Sequence, residues 1–148
     1  MNDLSLFKHI IQMNIRFSDL DAMGHVNNAK YLTYLEEARI DYLNNILCLS
    51  NENLDYQAVI AKVDINYLKQ IRLGDKLEIY SRIFKLGNKS FDFEILVVIN
   101  NNGEKIIVSS SITKMVGYNY KSQKTVILPD YFRKAVRNYE KEVEDNHT

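Results

Sequence analysis

The chain has 148 residues, 46% of them hydrophobic, and its 19 Lys and Arg balance its 19 Asp and Glu to a formal charge of zero. That length suits one domain, able to bury roughly 70% of its unfolded surface, and the balance argues against a nucleic-acid binder, which carries a basic face. No stretch approaches the roughly 18 apolar residues of a membrane span, the N-terminal MNDLSLFKHI is broken by Asp3, Lys8 and His9, and the single cysteine, Cys48, leaves no intrachain disulfide and no CxxC metal spacing, so a soluble cytoplasmic protein is expected.

Phe7 to Phe17 alternates polar and apolar residues, which predicts a strand with Ile11, Met13, Ile15 and Phe17 on one face. A helix is predicted over Ala29 to Leu47, with Tyr31, Leu35, Ala38, Tyr42 and Ile46 on its apolar stripe and Leu32, Leu43 and Leu47 widening it. Cys48, in an apolar run, reads as packing, and the polar Ser50 to Asp55 as a loop. Val59, Ala61, Val63, Ile65 and Tyr67 then alternate with Lys62, Asp64 and Asn66, the pattern of a half-buried strand.

Short turns at Arg72-Leu-Gly-Asp75, Leu86-Gly-Asn-Lys89 and Asn100-Asn-Asn-Gly103 lead into strands over Leu77 to Ile83, Phe91 to Ile99 and Lys105 to Tyr118. Ile95-Leu-Val-Val-Ile99 is continuously apolar, which suits a strand buried on both faces, one of them against another subunit. Pro129 opens a helix over Asp130 to Glu142, and the polar tail after it is expected to fray. One long helix and a succession of strands joined by tight turns make an α+β fold in which an antiparallel sheet covers the helix.

Chemistry-bearing residues crowd the entry to that helix, in RFSDLDAMGHVNNAKYLTYL, Arg16 to Leu35. Asp19, Asp21 and His25 supply acid and base groups, and Asn27 and Asn28 are good helix caps, so a carboxylate lies beside unpaired N–H groups able to polarise a carbonyl. That pairing points to chemistry on an acyl group. Between Lys62 and Lys89, seven basic residues face three acidic ones, a net of +4, which fits either the solvated outer face of a sheet or a site for a phosphorylated small ligand.

The motif D-x-D-x-x-G-H-V-N-N-x-x-Y at Asp19 to Tyr31, followed by INYLKQIRLGDKLEIYSRI, resembles the hotdog-fold acyl-CoA thioesterases of the 4-hydroxybenzoyl-CoA thioesterase type, over roughly residues 8 to 137. The resemblance implies a five-stranded antiparallel sheet wrapped around one central helix, with hydrolysis of an acyl-CoA and no cofactor or metal. It also implies a homodimer or homotetramer with sites at the subunit interface. Asp21 matches the family's catalytic aspartate, as nucleophile or base, and the backbone N–H of Asn28 its oxyanion donor; Asp19 is a supporting residue. His25 can orient a water, bond the carboxylate or protonate the departing thiolate, while Glu36 matches the working carboxylate of a sister branch. Related plant acyl-carrier-protein thioesterases place an asparagine where this chain has Met23, so their constellation is not reproduced. Gly24 provides backbone freedom, Asn27 and Tyr31 border the acyl site, and Lys62, Lys85, Lys89 and Ser90 form a docking surface for the phosphates of coenzyme A. A non-catalytic acyl-CoA-binding protein and a hotdog dehydratase or hydratase are the alternatives.

Overall fold

A computed structural model describes residues 3–47 and 58–146. In chain order these form β1 (His9–Met13), α1 (Asn28–Leu47), β2 (Ala58–Tyr67), β3 (Leu77–Leu86), β4 (Ser90–Asn101), β5 (Glu104–Asn119), β6 (Lys124–Thr125), α2 (Asp130–Tyr139) and β7 (Glu144–Asp145). Five strands make one sheet in the order β1-β3-β4-β5-β2, antiparallel at every step. The two-residue β6 and β7 attach to β5 and β3. The turns at Leu86–Lys89 and Asn100–Gly103 are hairpins as predicted, whereas Arg72–Asp75 is not: β2 pairs with β5, and the chain crosses from there to β3, on the other side of β4 and β5. Between β4 and β5, Asn102 and Gly103 take φ values of 52° and 92°, and Asn100 Oδ1 accepts the Gly103 N–H at 2.9 Å.

The helix is the core of the domain. Tyr31, Leu35, Ala38 and Tyr42 on α1 share one buried cluster with Ile79 and Ile83 of β3 and with Phe91, Phe93, Ile95 and Val97 of β4. On each strand these positions are an even number of residues apart, so they line the same face. Leu32 does not join the stripe; it is 45% exposed, while Tyr34 is buried. Tyr34 sinks because its hydroxyl donates to the buried carboxylate of Asp19 at 2.7 Å, a partner that apolar periodicity cannot reveal.

Three strand expectations change. β1 pairs with β3 only from His9↔Ser81 to Met13↔Leu77. Beyond it the chain turns into a 3-10 segment, Phe17–Asp19, where Asp19 Oδ2 accepts the Arg16 N–H at 3.0 Å. Ile11, Met13 and Ile15 still pack on the core, whereas Phe17 is 79% exposed. In β2 a bulge between Ile60 and Lys62 interrupts the alternation, so Val63 and Ile65 face the core as predicted, but before the bulge it is Ala58 that packs there rather than Val59, and Ala61 is exposed. Ile95 to Val98 are all fully buried, yet the outer face at Leu96 and Val98 is covered by the chain's own Phe7, Leu4 and Leu6 together with Tyr80 and Ile107, not by another subunit.

The segment after α2 packs back on the sheet, with the Asn146 N–H on the Leu86 carbonyl at 2.8 Å, contrary to the fraying expected of it. α2 ends at Tyr139, short of Glu142, because Glu140 turns inward to accept the Tyr42 hydroxyl and, at 3.0 Å, the Ile83 N–H. β7 then pairs with Lys85 and Leu86, and Asp145 binds Arg133 and Arg137. Cys48 and the Ser50 to Asp55 loop lie outside the described residues.

Candidate active site

Asp21 organises the loop ahead of α1. Its Oδ1 accepts the N–H groups of Met23 and His25 at 2.9 and 3.2 Å, and its own N–H donates to the His25 carbonyl at 2.8 Å. Gly24 closes this turn at φ +82°, a left-handed position that glycine occupies without strain. The loop is then clipped to the segment after β2 by the Val26 N–H on the Ile71 carbonyl at 2.8 Å and by a bridge between His25 and Arg72. Asp21 therefore makes a turn through Oδ1, while its Oδ2 carries no hydrogen bond among the described residues.

Asn27 caps the helix: its Oδ1 accepts the Ala29 N–H at 3.0 Å and its carbonyl accepts the Lys30 N–H at 2.8 Å. The Asn27 N–H donates to the Asp19 carbonyl at 2.9 Å, and the Asn28 carbonyl accepts the Tyr67 hydroxyl at 3.2 Å. Every polar backbone group from Asn27 N–H to Ala29 N–H is thus engaged except the Asn28 N–H, which has no partner among the described residues. It is a single free donor at a helix N-terminus, where the helix dipole concentrates about half a positive charge. The Asn28 side chain is exposed and makes no hydrogen bond among the described residues.

Asp19 is built into the support of this loop. It is 7% exposed and accepts both the Arg16 N–H and the Tyr34 hydroxyl through Oδ2. Burial alone would raise its pKa, but those two hydrogen bonds and the charges of Lys30 and Arg16 outweigh it and hold the carboxyl below its ordinary range. Its role is structural, as the sequence indicates.

Asp21, His25, Asn27, Asn28 and Tyr31 line one cleft of about 550 Å³, so five of the residues singled out in the sequence meet there, with Gly24 in the loop beside them. Met23, Val26, Tyr67, Leu68, Lys69 and Gln70 complete its wall. The sequence pattern missed the last four because the 67–70 segment reaches the helix entry only through the tertiary pairing of Val26 with Ile71. Tyr31 and Tyr67 meet edge to face at 5.0 Å, and burial, with Tyr67 close by, pushes the Tyr31 phenol up to about 12. Among the described residues no three His, Cys, Asp or Glu side chains converge on a metal position.

The other predicted residues stand elsewhere. Glu36 is exposed on α1 and offsets the buried Arg39 guanidinium; it does not line the cleft. The basic segment is not one surface. Arg82 pairs with Glu94 at 2.8 Å on the outer face, beside Lys114–Asp92 at 2.9 Å, and Lys62 lies opposite Lys114 on β2. Lys85, Lys89 and Ser90 surround the β3–β4 turn, where Ser90 pairs with Val116, whereas the cleft end of the sheet is marked by Val108, whose carbonyl accepts the Leu68 N–H. Eight residues of β5 separate those points, about 26 Å at 3.3 Å per residue. Within one chain the two halves of the expected acyl-CoA site lie at opposite ends of the sheet.

The profile of the thioesterase-like superfamily matches residues 15–136. The chain is 31% identical over 128 residues to the long-chain acyl-CoA thioesterase FadM of Escherichia coli (strain K12), spanning 84% of this chain and 94% of that protein. A thioesterase from Thermus thermophilus, solved in complex with coenzyme A and Zn, superposes with a TM-score of 0.77 at 33% identity over 91% of this chain and 96% of its own. The probable thioesterase YbaW of Escherichia coli superposes with a TM-score of 0.75 at 30% identity, over 90% and 99%. A helix swaddled by a five-stranded antiparallel sheet, an aspartate and a free helix N-terminal donor in one cleft, and these likenesses agree: the chain belongs to the thioesterase-like superfamily, as a hotdog-fold thioester hydrolase.

Proposed function

We propose that the protein hydrolyses an acyl-CoA in the cytoplasm, releasing the free acid and coenzyme A, with Asp21 as the working carboxylate and the Asn28 N–H as the oxyanion donor. The observation that carries this reading is the single unpaired N–H of an otherwise engaged helix entry, in the same cleft as an Asp21 oxygen that has no partner among the described residues. The substrate class is supported by FadM, a long-chain acyl-CoA thioesterase, and by the coenzyme A complex of the Thermus relative.

A thioester carbonyl seated against Asn28 N–H gains more as a tetrahedral oxyanion than as a neutral carbonyl, because the donor meets a full charge only at the transition state. One such donor contributes about 3–4 kcal/mol. Asp21 takes a proton from water as the water oxygen bonds to the carbonyl carbon; collapse of the oxyanion then reforms C=O and breaks C–S. Alternatively Asp21 attacks that carbon itself, the oxyanion collapses with cleavage of C–S and departure of the coenzyme A thiolate to leave a mixed anhydride, and water then hydrolyses the anhydride to the free acid and the Asp21 carboxylate. His25 lines the same cleft, which supports a role for it in protonating the departing sulfur.

The distant Lys85, Lys89 and Ser90 fit this reading through a homodimer, alone or as the unit of a tetramer. β2 is an edge strand with its outer side unpaired among the described residues. If two β2 strands pair antiparallel about their middle, the partner's Ala58 end comes beside this chain's Tyr67, and the partner's Lys89 approaches the cleft from the side on which a nucleotide would extend.

A panel of acyl-CoAs of varied chain length and ring content, assayed for thiol release, tests the function. Asp21→Asn keeps an oxygen for the Met23 and His25 N–H groups, so the loop persists, and kcat is expected to fall at least about 100-fold. A folded variant retaining more than about a tenth of wild-type kcat removes Asp21 from the mechanism and makes Glu36→Gln the next test. Wild type that binds acyl-CoA but releases no thiol from any member is a binding protein instead.

A further inference from the structure

We infer that Tyr67, which the resemblance does not single out, is a positioning residue for the oxyanion donor; the inference rests on the thioesterase reading above. The Asn28 N–H belongs to the peptide joining Asn27 to Asn28. That unit is held from its own carbonyl by Lys30 N–H, and the preceding peptide is held by the Asn27 N–H on Asp19. The following peptide is held at both ends, by the Asn27 side chain on Ala29 N–H and by the Tyr67 hydroxyl on the Asn28 carbonyl. Three of these four restraints come from the loop and helix that contain the donor. Among the described residues, Tyr67 alone reaches it from the sheet.

Tyr67 is suited to that work. It is the last residue of β2, in register with Ser109 of β5, so its backbone is fixed by the sheet ladder, and its ring is held edge to face against Tyr31 one helical turn inside α1. At 42% exposed, its hydroxyl is not needed to satisfy a buried group, so stability has little stake in it. What the bond does is set the rotation of the first helical peptides relative to the sheet, and hence the aim of the free N–H into the cleft. Because a donor must meet the oxyanion within a few tenths of an ångström, a small loosening costs rate without costing affinity.

The experiment is Tyr67→Phe, which keeps the ring and its contact with Tyr31 and removes only the hydroxyl. Expected are a fall in kcat of about tenfold with KM within about twofold, an unchanged melting temperature, and lower 15N relaxation order parameters at the Asn28 and Ala29 amides with those of residues 35–42 unaffected. Unaltered amide order overturns the inference whatever the activity, as does a rise in KM at constant kcat, which would mean that the Tyr67 hydroxyl binds substrate directly. A parallel loss of stability and rate would make it structural. Should wild type hydrolyse no thioester, the thioesterase reading fails on its own, while the amide measurement still decides whether Tyr67 orders the helix entry.

Discussion

Proline at position 28 removes one hydrogen-bond donor from the protein and little else. Asn28 is the first residue of α1, where the helix itself has no use for an N–H and where proline's fixed φ near −65° is already helical. Proline demands an extended conformation of the residue before it, and Asn27, as the N-cap, is the position where that is customary. The cap on Ala29 N–H and the Tyr67 bond to the residue 28 carbonyl do not involve the lost hydrogen. Stability is therefore expected to change by only a few tenths of a kcal/mol. The oxyanion, by contrast, loses its backbone donor, worth about 3–4 kcal/mol, which at 1.36 kcal/mol per decade is a fall in kcat of about 10²–10³. Asn28→Ser keeps the N–H and should retain kcat within about threefold, since no side-chain atom at 28 is asked to act. Steady-state thiol release gives kcat and KM, after circular dichroism and particle size show both variants intact. Crowding by the proline ring would surface as a raised KM, whereas loss of the donor lowers kcat. A folded Asn28→Pro enzyme turning over at the wild-type rate refutes the assignment.

Lys85→Ala with Lys89→Ala should raise KM for acyl-CoA with little change in kcat, and the effect should shrink in high salt, where phosphate contacts are screened; an unchanged KM at low salt places the nucleotide elsewhere. Asp19→Asn should cost about 1–3 kcal/mol by disturbing the acceptor of Arg16 N–H and Tyr34 hydroxyl. Because the native carboxyl is held low, its ionic contribution is full above the unfolded value of about 3.9 and is lost as pH falls through the native value, so urea unfolding should show wild type and variant converging in acid. A gap that stays constant into strong acid contradicts this. Burial pushes the Glu140 carboxyl up, so the opposite slope holds there: wild-type stability declines as pH rises from the unfolded value of about 4.3 through the raised native one, and Glu140→Gln, which keeps an acceptor for the Tyr42 hydroxyl and Ile83 N–H, should gain on wild type across that window. Parallel stability curves for the two would show that Glu140 does not titrate differently on folding.

The elements whose signals are local were legible in the chain. α1 begins one residue before the predicted start, since Asn27 declares a cap and an uninterrupted apolar stripe follows. β3, β4 and β5 and the two hairpin turns between them fall where alternation and the Gly and Asn residues put them, and the crowding of Asp21, Gly24, His25 and Asn27 marks the cleft because all lie within one short loop. On the buried face of α1 the departure came from a partner outside the helix. Leu32 and Tyr34 are two residues apart on one helix, and only a carboxylate on another segment decides which is buried.

The amino-acid order by itself determined the period of each element, the cap and the glycine turn, because these depend on the conformations of neighbouring residues and on hydrogen bonds a few positions apart. Tertiary structure alone decided the rest of the site. Tyr67 and Lys69 enter the cleft because antiparallel register carries the end of β2 to the helix entry, and the same register carries Lys85 and Lys89 to the far end of the sheet. A charge count over a sequence window cannot see that separation, since consecutive strands run in opposite directions and residues close in the chain are delivered to opposite edges of the molecule.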